Sequence, residues 1–362
     1  MRSPHLRDGP ATGTRTDRRL PGAAGLAAAF VLAVSAALSA CGSRVTEPAP
    51  EPPADLVVYS SHPAEMVRTI LREFRDRTGL RVRVVAGGTG ELLGRLRSGD
   101  ASPRADLLWG GGAESLAAVA DLLEPYVSPE AAAVPEGLKD PKGAWTGFTV
   151  LPMVMIVNDR LLPPERAPRA WADLGSERLR GSVAYADPSV SGSAYTILRT
   201  LLLAGGGGEA GWSRVAAFAR ILEGNVLPES SQVFRGVASG EYLAGLTYET
   251  AVTDAGRSGS DVRVVYPADG TSAIPDCVAL VRGAPHPEAA RAFVDFVLGP
   301  DVAAVVAVRF GRRSARADAP APEGLPPLSS LRILPYDVER SAAERAGTLA
   351  RFRDLLAGAA RP

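Results

Sequence analysis

The chain has 362 residues, 46% hydrophobic and 22% charged, which is typical of a globular protein with one large or two smaller domains. Its 40 basic and 40 acidic residues give a formal net charge of zero. Because broad nucleic-acid binding needs a basic surface, this balance argues against a nucleic-acid partner, although it permits one local positive pocket.

Residues 1–40 have the pattern of a lipoprotein signal peptide. A basic head ends at Arg18-Arg19, and an uncharged, alanine-rich run over 22–40 follows it. The sequence Leu38-Ser39-Ala40-Cys41 resembles a bacterial lipobox, which implies cleavage before Cys41 and lipid attachment there. The same run is nearly long enough for a transmembrane anchor, but its small residues favour cleavage. The paired arginines leave open whether export is by the Sec or the twin-arginine route.

Residues 41–54 are rich in proline and poor in apolar side chains, so we expect a semi-extended tether rather than a folded segment. The chain has two cysteines, Cys41 and Cys277. One disulfide is conceivable in an exported protein. A lipidated Cys41 would not be available for it, and Cys277 lies in an apolar run that favours a buried thiol.

The body alternates short apolar runs with amphipathic helical segments. We predict strands over 55–60, 81–85, 105–109, 153–157, 182–185, 243–248, 262–266 and 277–281. We predict helices that begin at Pro63 and cover 91–97, 114–123, 193–203, 212–222, 287–298 and 340–356. The three glycines at 110–112 are expected to end the third strand. This alternation predicts an α/β fold with a parallel sheet and helices on its faces.

Three loops that join a predicted strand to a helix are rich in serine, threonine and glycine. They lie at 60–63, 87–90 and 187–195. Each combines hydroxyls, free backbone N–H groups and the positive end of a helix dipole, which together bind phosphate, phosphonate or carboxylate. Each alone is also compatible with ordinary helix capping. Gly111, which follows the third predicted strand, is a further candidate. The candidate ligand-binding residues of the three loops are Ser60, Ser61, His62, Gly88, Thr89, Gly90, Ser189, Ser191, Gly192, Ser193, Ala194 and Tyr195.

Other chemistries find little support in the sequence. The glycines of Gly88-x-Gly90-x-x-x-Gly94 miss the dinucleotide-binding spacing, so we predict no cofactor. The three histidines, His5, His62 and His286, form no zinc motif with cysteines or carboxylates. A hydrolase built on His62 and a nearby serine is the least favoured alternative, because no nucleophile-elbow motif is present.

Five segments, in their order along the chain, resemble the extracellular solute-binding proteins of ABC importers: 57–61, 104–111, 186–195, 240–249 and 283–293. The resemblance extends over about 55–356. It points to the branch that binds ferric iron, 2-aminoethylphosphonate or phosphorylated sugars. It implies a bilobed, type 2 periplasmic-binding α/β fold with a hinge, a ligand cleft between the lobes and no catalysis.

The same resemblance implies a division of the body and its partners. Lobe 1 would comprise 55–149 and 262–310, and lobe 2 would comprise 150–261 and 311–362. The implied partners are a small anionic ligand, a membrane permease and, through the lipid on Cys41, the membrane. The protein would be a monomer on the outer face of the cell membrane.

One strand-end loop reduces the number of candidate ligands. Its sequence is Thr247-Tyr248-Glu249-Thr250. Ferric-iron members of the family typically carry two adjacent tyrosines there, whereas this chain has one tyrosine followed by glutamate. An organophosphorus anion such as 2-aminoethylphosphonate is therefore favoured, with Tyr248 and Glu249 as further ligand residues. Glu249 could accept from an amine, or it could be a surface or lobe-closing carboxylate. If the ligand is ferric iron instead, His62, Tyr248 and Glu249 would coordinate it.

Overall fold

A computed structural model describes residues 54–99 and 102–359 of the chain, and these belong to one compact unit. The signal peptide, the tether and Cys41 lie outside the described residues. The strands of the described part are β1 Leu56–Ser60, β2 Val82–Ala86, β3 Leu107–Gly112, β4 Leu123–Glu124, β5 Thr146–Asn158, β6 Val183–Ala184, β7 Ala244–Tyr248, β8 Val262–Val265, β9 Ala273–Val281 and β10 Arg313–Ser314.

Helices cover both faces of these strands. Those of the described part are α1 Ala64–Thr78, α2 Thr89–Ser98, α3 Ala113–Ala117, α4 Gly192–Ala204, α5 Gly208–Leu222, α6 Ser230–Ser239, α7 Ala251–Ser258, α8 Pro287–Leu298, α9 Pro300–Phe310, α10 Val338–Ala343 and α11 Arg345–Ala359. Short 3-10 turns connect several of them. None of the helices in 54–99 and 102–359 is both long and apolar enough to cross a bilayer.

The strands are ordered β2-β1-β3-β9-β5-β7-β6. The edge strands on both sides are parallel to their neighbours, since β1 pairs in parallel with β2 and β3, and β6 with β7. The central strands are antiparallel, with β9 between β3 and the long β5. The first part of β5 pairs with β9, and its last part pairs with β7 and β8. Strand β5 therefore joins two sheet halves.

Each sheet half has its own apolar core. The core beside β1 and β3 includes Phe74, Trp109 and Phe293, and a second layer of buried side chains covers the opposite face of these strands. The core beside β7 is built around Trp171 and Phe218. Burying one such side chain stabilises the fold by about 1.5–3 kcal/mol. Two cores around one crossing strand agree with the bilobed α/β fold that the sequence predicts.

Local sequence signals predicted most elements well. Helix α1 buries Met66, Ile70 and Phe74 and ends at Gly79, whose φ of 73° is left-handed. Helix α8 has the predicted bounds. Five expectations are corrected: β3 continues to Gly112, β5 and β9 each begin earlier, the helix predicted over 114–123 ends at Ala117, and the C-terminal helix is broken at Glu344 into α10 and α11. Helices α6, α7 and α9 were not predicted.

The proposed lobe boundaries remain predictions, and strand pairing favours one adjustment. Strand β8 was placed in lobe 1, but it hydrogen-bonds to 155–158 of β5, beside strands that were placed in lobe 2. The following segment also contacts this half, because the Trp171 backbone N–H donates to Asp269. A crossover after Asp269, at the start of β9, fits these contacts better than one at residue 262.

Candidate functional site

The three loops singled out in the sequence meet at a cleft of about 840 Å³. Because β1, β2 and β6 run into these loops at their carboxyl ends, the loops gather at one edge of the sheet. The predicted residues that line the cleft are Ser60, Ser61, His62, Gly88, Thr89, Gly111, Ser191, Gly192, Ser193 and Tyr248. The structure thus brings together most of the predicted site.

Helix N-termini open onto this cleft. Helix α1 begins after Pro63 and α2 after Gly88, and neither helix has a side-chain cap. Helix α4 begins after Ser191, whose hydroxyl accepts from the Ala194 N–H at 3.2 Å. Ser191 is therefore an N-cap, as the helix-capping alternative predicted. Uncapped first-turn N–H groups keep their capacity to donate, and the helix dipole adds partial positive charge. The cleft is therefore suited to a compact anion.

Two of the loops touch each other across the cleft. The Gly90 N–H donates to the Val190 carbonyl at 2.9 Å, and a side chain at Gly90 would overlap the Ser189 carbonyl oxygen. A Cβ at Gly192 would lie 2.8 Å from the Thr89 hydroxyl. Gly90 and Ser189 thus form a contact at the side of the cleft and do not line it. Glycine is required at these positions because the two backbones approach so closely.

The cleft contains a buried cation that sequence reasoning missed. Arg312 is 4% exposed, and its guanidinium lies 3.1 Å from Asp276 and 5.6 Å from the ring centroid of Tyr248. Its position is set by Gly311, which ends α9 with a left-handed φ of 59°. The Gly311-Arg312 sequence after an apolar helix was the available signal. Nothing local indicated that it faces the loops at 60–63 and 187–195.

Asp276 and His62 complete this buried group. Nδ1 of His62 lies 3.3 Å from the same Asp276 oxygen that pairs with Arg312. Burial raises the pKa of Asp276 to about 6, although Arg312 opposes the shift. Burial, helped by Arg312, holds the pKa of His62 well below its usual range, so the imidazole is neutral. Its Nε2 is buried without a partner among the described residues, beside the rings of Trp109 and Phe148.

Glu249 lies outside the cleft lining. It is 2% exposed, and Arg313 donates to both of its carboxylate oxygens, at 2.6 and 2.8 Å. The Tyr266 hydroxyl donates to the same carboxylate at 2.6 Å. These bonds engage both carboxylate oxygens of Glu249 within the fold, and its burial does not match the alternative of a surface carboxylate. The alternative of a lobe-closing carboxylate stays a prediction.

Ala194 and Tyr195 are also part of the packed interior and do not line the cleft. Both are buried in α4, and the Tyr195 hydroxyl donates to the Ser341 carbonyl at 2.6 Å, away from the cleft. The Ala194 carbonyl accepts from the Tyr185 hydroxyl. The helical register explains their positions, since consecutive residues of a helix point in different directions: Gly192, Ser193 and Thr196 of α4 line the cleft, whereas Ala194 and Tyr195 do not.

Besides Asp276, three carboxylates line the cleft that were not among the candidate residues: Glu91, Asp187 and Glu229. Glu91 lies in the first turn of α2, Asp187 in the loop after β6, and Glu229 directly before α6. The first two lie within or next to predicted site loops, which was a usable signal. A site with both anion-binding amides and carboxylates matches a ligand that carries charges of both signs.

Three known proteins show the range of this chain's relatives. The iron uptake protein A1 of Synechocystis is 26% identical over 302 residues, which cover 77% of this chain and 82% of that protein. A putative 2-aminoethylphosphonate-binding periplasmic protein of Salmonella typhimurium is 26% identical over 237 residues, which cover 63% of this chain and 67% of that protein. The periplasmic binding protein AfuA of Actinobacillus pleuropneumoniae, solved with fructose-6-phosphate, shares the fold with a TM-score of 0.77 and 23% identity, over 83% of this chain and 98% of that one.

A family model described as bacterial extracellular solute-binding protein matches residues 102–341, which is more than half of the chain. The match includes the cleft residues from Gly111 to Arg312. The type 2 periplasmic-binding fold and the ABC-importer relationship predicted from the sequence are therefore confirmed. The chain belongs to the bacterial extracellular solute-binding protein family, whose members serve ABC transporters as their periplasmic solute-binding component.

Proposed function

We propose that this solute-binding protein captures a small organophosphorus anion that also carries an amine, such as 2-aminoethylphosphonate. The observation that carries the proposal is the shared cleft of three hydroxyl-bearing loops, two uncapped helix N-termini and buried Arg312. Amide and hydroxyl donors surround a tetrahedral oxyanion without the need for several cations. One guanidinium in the cleft adds a charge-assisted donor.

The other end of the ligand would meet the carboxylates. Glu91, Asp187 and Glu229 line the same cleft as Ser191 and Ser193. An ammonium group near them would gain favourable electrostatic interactions, whereas a second phosphoryl group would be repelled. The relative from Salmonella typhimurium, named for 2-aminoethylphosphonate binding, supports this class of ligand.

Ferric iron is the second candidate, because the Synechocystis relative is named for iron uptake and Tyr248 lines the cleft. The remaining two expected iron ligands are poorly placed. His62 has one ring nitrogen beside Asp276 and the other buried, and Glu249 is held by Arg313. In 54–99 and 102–359, no group of three or more His, Cys, Asp or Glu side chains is arranged to hold a metal ion. The phosphonate proposal is preferred on these grounds.

The hydrolase alternative is not supported by the geometry. A catalytic base must reach the hydroxyl whose proton it removes. The His62 ring nitrogens face Asp276 and an apolar wall, and Ser60 instead accepts from the His62 backbone N–H.

A thermal-shift panel distinguishes the ligand classes. A ligand that binds only the folded protein raises its melting temperature by mass action. We expect a rise with 2-aminoethylphosphonate and a smaller one with inorganic phosphate or fructose 6-phosphate. Ferric citrate should have no effect and should produce no visible tyrosinate-to-iron absorption band. A shift and a band with ferric citrate alone would support iron and contradict the phosphonate proposal.

A further inference from the structure

Glu114 is a buried carboxyl group that the proposed ligand does not touch. It lies in α3, directly after β3, and is 0% exposed. Its Oε1 is 2.5 Å from the Thr196 hydroxyl of α4. Both Gly112 and Thr196, between which the carboxyl lies, line the cleft. Glu114 therefore connects the two halves of the protein just beneath the floor of the cleft.

The hydrogen bonds around Glu114 favour a protonated carboxyl group. The Thr196 hydroxyl lies 3.1 Å from the Gly192 carbonyl as well as 2.5 Å from Glu114 Oε1, and it has only one proton for these two oxygens. A proton on Glu114 Oε1 resolves the competition, because the carboxylic acid then donates to the hydroxyl and the hydroxyl donates to the carbonyl. The second carboxyl oxygen, Oε2, is buried and has no partner among the described residues. Oε2 has no donor among these residues in either protonation state, but an ionised carboxylate would place negative charge on this buried oxygen with nothing to stabilise it, which costs more than burying the neutral acid.

The charged surroundings of Glu114 do not offer an ion pair. Arg345, at the start of α11, is the nearest cation, but its guanidinium stacks 4.1 Å from the Tyr195 ring centroid and lies 3.4 Å from the Ser115 hydroxyl. Burial raises the pKa of Glu114 above its usual range, with Arg345 opposing this shift. The other titratable or charged groups on the elements packed against α3 are Asp276 and Cys277 of β9, Tyr195 and Arg199 of α4, Tyr336, and Glu339 and Arg340 of α10.

We infer that Glu114 is a proton-bearing latch: it is a carboxylic acid when the cleft is closed over a ligand and ionises when the cleft opens. The inference rests on the proposed solute capture between two lobes, with α3 in lobe 1 and α4 in lobe 2. Opening separates Glu114 from Thr196 and admits water, which returns the carboxyl to its usual acidity. Closure therefore takes up a proton, and affinity for the cleft ligand falls as pH rises.

The test compares proton uptake by the full protein and by the Glu114→Gln variant. Gln cannot ionise, but its amide can donate to the Thr196 hydroxyl as the carboxylic acid does. The protein is titrated calorimetrically with 2-aminoethylphosphonate in buffers of different ionisation enthalpy, at about pH 7.5. We expect the parent to take up more protons per bound ligand than Glu114→Gln, by at most one, and its affinity to fall relative to the variant as pH rises, by up to about tenfold per pH unit. Ionisation of the ligand affects both proteins and cancels in the difference.

Equal proton uptake in two proteins that both bind would overturn the latch. If neither binds the phosphonate, the proposed ligand is wrong, and thermal unfolding still decides the state of Glu114. A folded-state pKa above the unfolded one means that the parent loses stability as pH rises past the unfolded carboxyl's pKa. The melting temperature of Glu114→Gln relative to the parent should therefore increase between about pH 4 and pH 8. A constant difference would also overturn the inference.

Discussion

Arg312 shows how much one residue can contribute to this site. It is the buried cation of the cleft, and its carboxylate partner Asp276 has a pKa raised to about 6 by burial. Asp276 is therefore mostly ionised at neutral pH and takes up a proton as the pH falls below about 6, which leaves more of the Arg312 charge for a ligand under acidic conditions. By contrast, Arg313 next to it is committed to Glu249 through two short hydrogen bonds. Adjacent arginines thus have different roles, one in the cleft and one in the fold.

Replacing Arg312 should weaken ligand binding by at least about tenfold, since charge-assisted hydrogen bonds contribute about 1.5–3 kcal/mol. The variant Arg312→Gln keeps a polar side chain of similar length, and calorimetry measures its Kd for 2-aminoethylphosphonate. Arg309→Gln is the matched control, because Arg309 is on the exposed surface of α9, where it pairs with exposed Glu65 and stacks over the Phe310 ring. Similar affinities in the two variants would place the anion elsewhere.

At the scale of the elements, the function depends on how closely α2 approaches the loop before α4. A side chain at Gly90 would overlap the Ser189 carbonyl, whereas Gly94, one turn later in the same helix, has open space around it. These two glycines share a helix, but Gly90 lies in its first turn against the loop before α4 and Gly94 lies in its exposed middle. They therefore make it possible to separate helix propensity from loop contact.

Gly90→Ala should force the two loops apart and raise the Kd for the ligand by about tenfold or more, because even small displacements disturb a preorganised site. Gly94→Ala should leave the Kd unchanged and stabilise the protein by about 0.5–1 kcal/mol, as expected for alanine in an exposed helix. Calorimetric titration and urea unfolding measure the two effects. Unchanged affinity in Gly90→Ala would show that this contact is not needed for binding.

The elements also show what the sequence could predict. Helix α8 was predicted at its observed bounds because its periodicity and Pro287 are local signals. The end of β3 was not predicted at its observed position. Gly110 and Gly111 have positive φ, and the strand is continued there by pairing with β9, more than 160 positions later in the chain. The hydroxyl-rich loops of the site were recognisable from composition. Arg312 was not, because its partner Asp276 belongs to a distant strand.

For the whole molecule, we propose that lipid on Cys41 anchors the folded body to the membrane. The described helices supply no span of their own, and the Pro-rich segment over 41–54 would act as the tether. The variant Cys41→Ser should be released from the membrane fraction, whereas Cys277→Ser should stay with it, because Cys277 is a buried free thiol in β9. Detergent-phase partitioning after expression in a bacterium measures both. Retention of Cys41→Ser in the detergent phase would contradict lipid anchoring at that residue.

The central claim is that main-chain amides, hydroxyls and one buried guanidinium hold a phosphonate in a single cleft. Calorimetric titration of the protein with 2-aminoethylphosphonate tests it most directly. We expect one 2-aminoethylphosphonate to bind per protein without turnover, and related phosphonates to compete for the same cleft. Absence of binding by any phosphonate or phosphate ester, together with one-to-one binding of ferric iron, would contradict it.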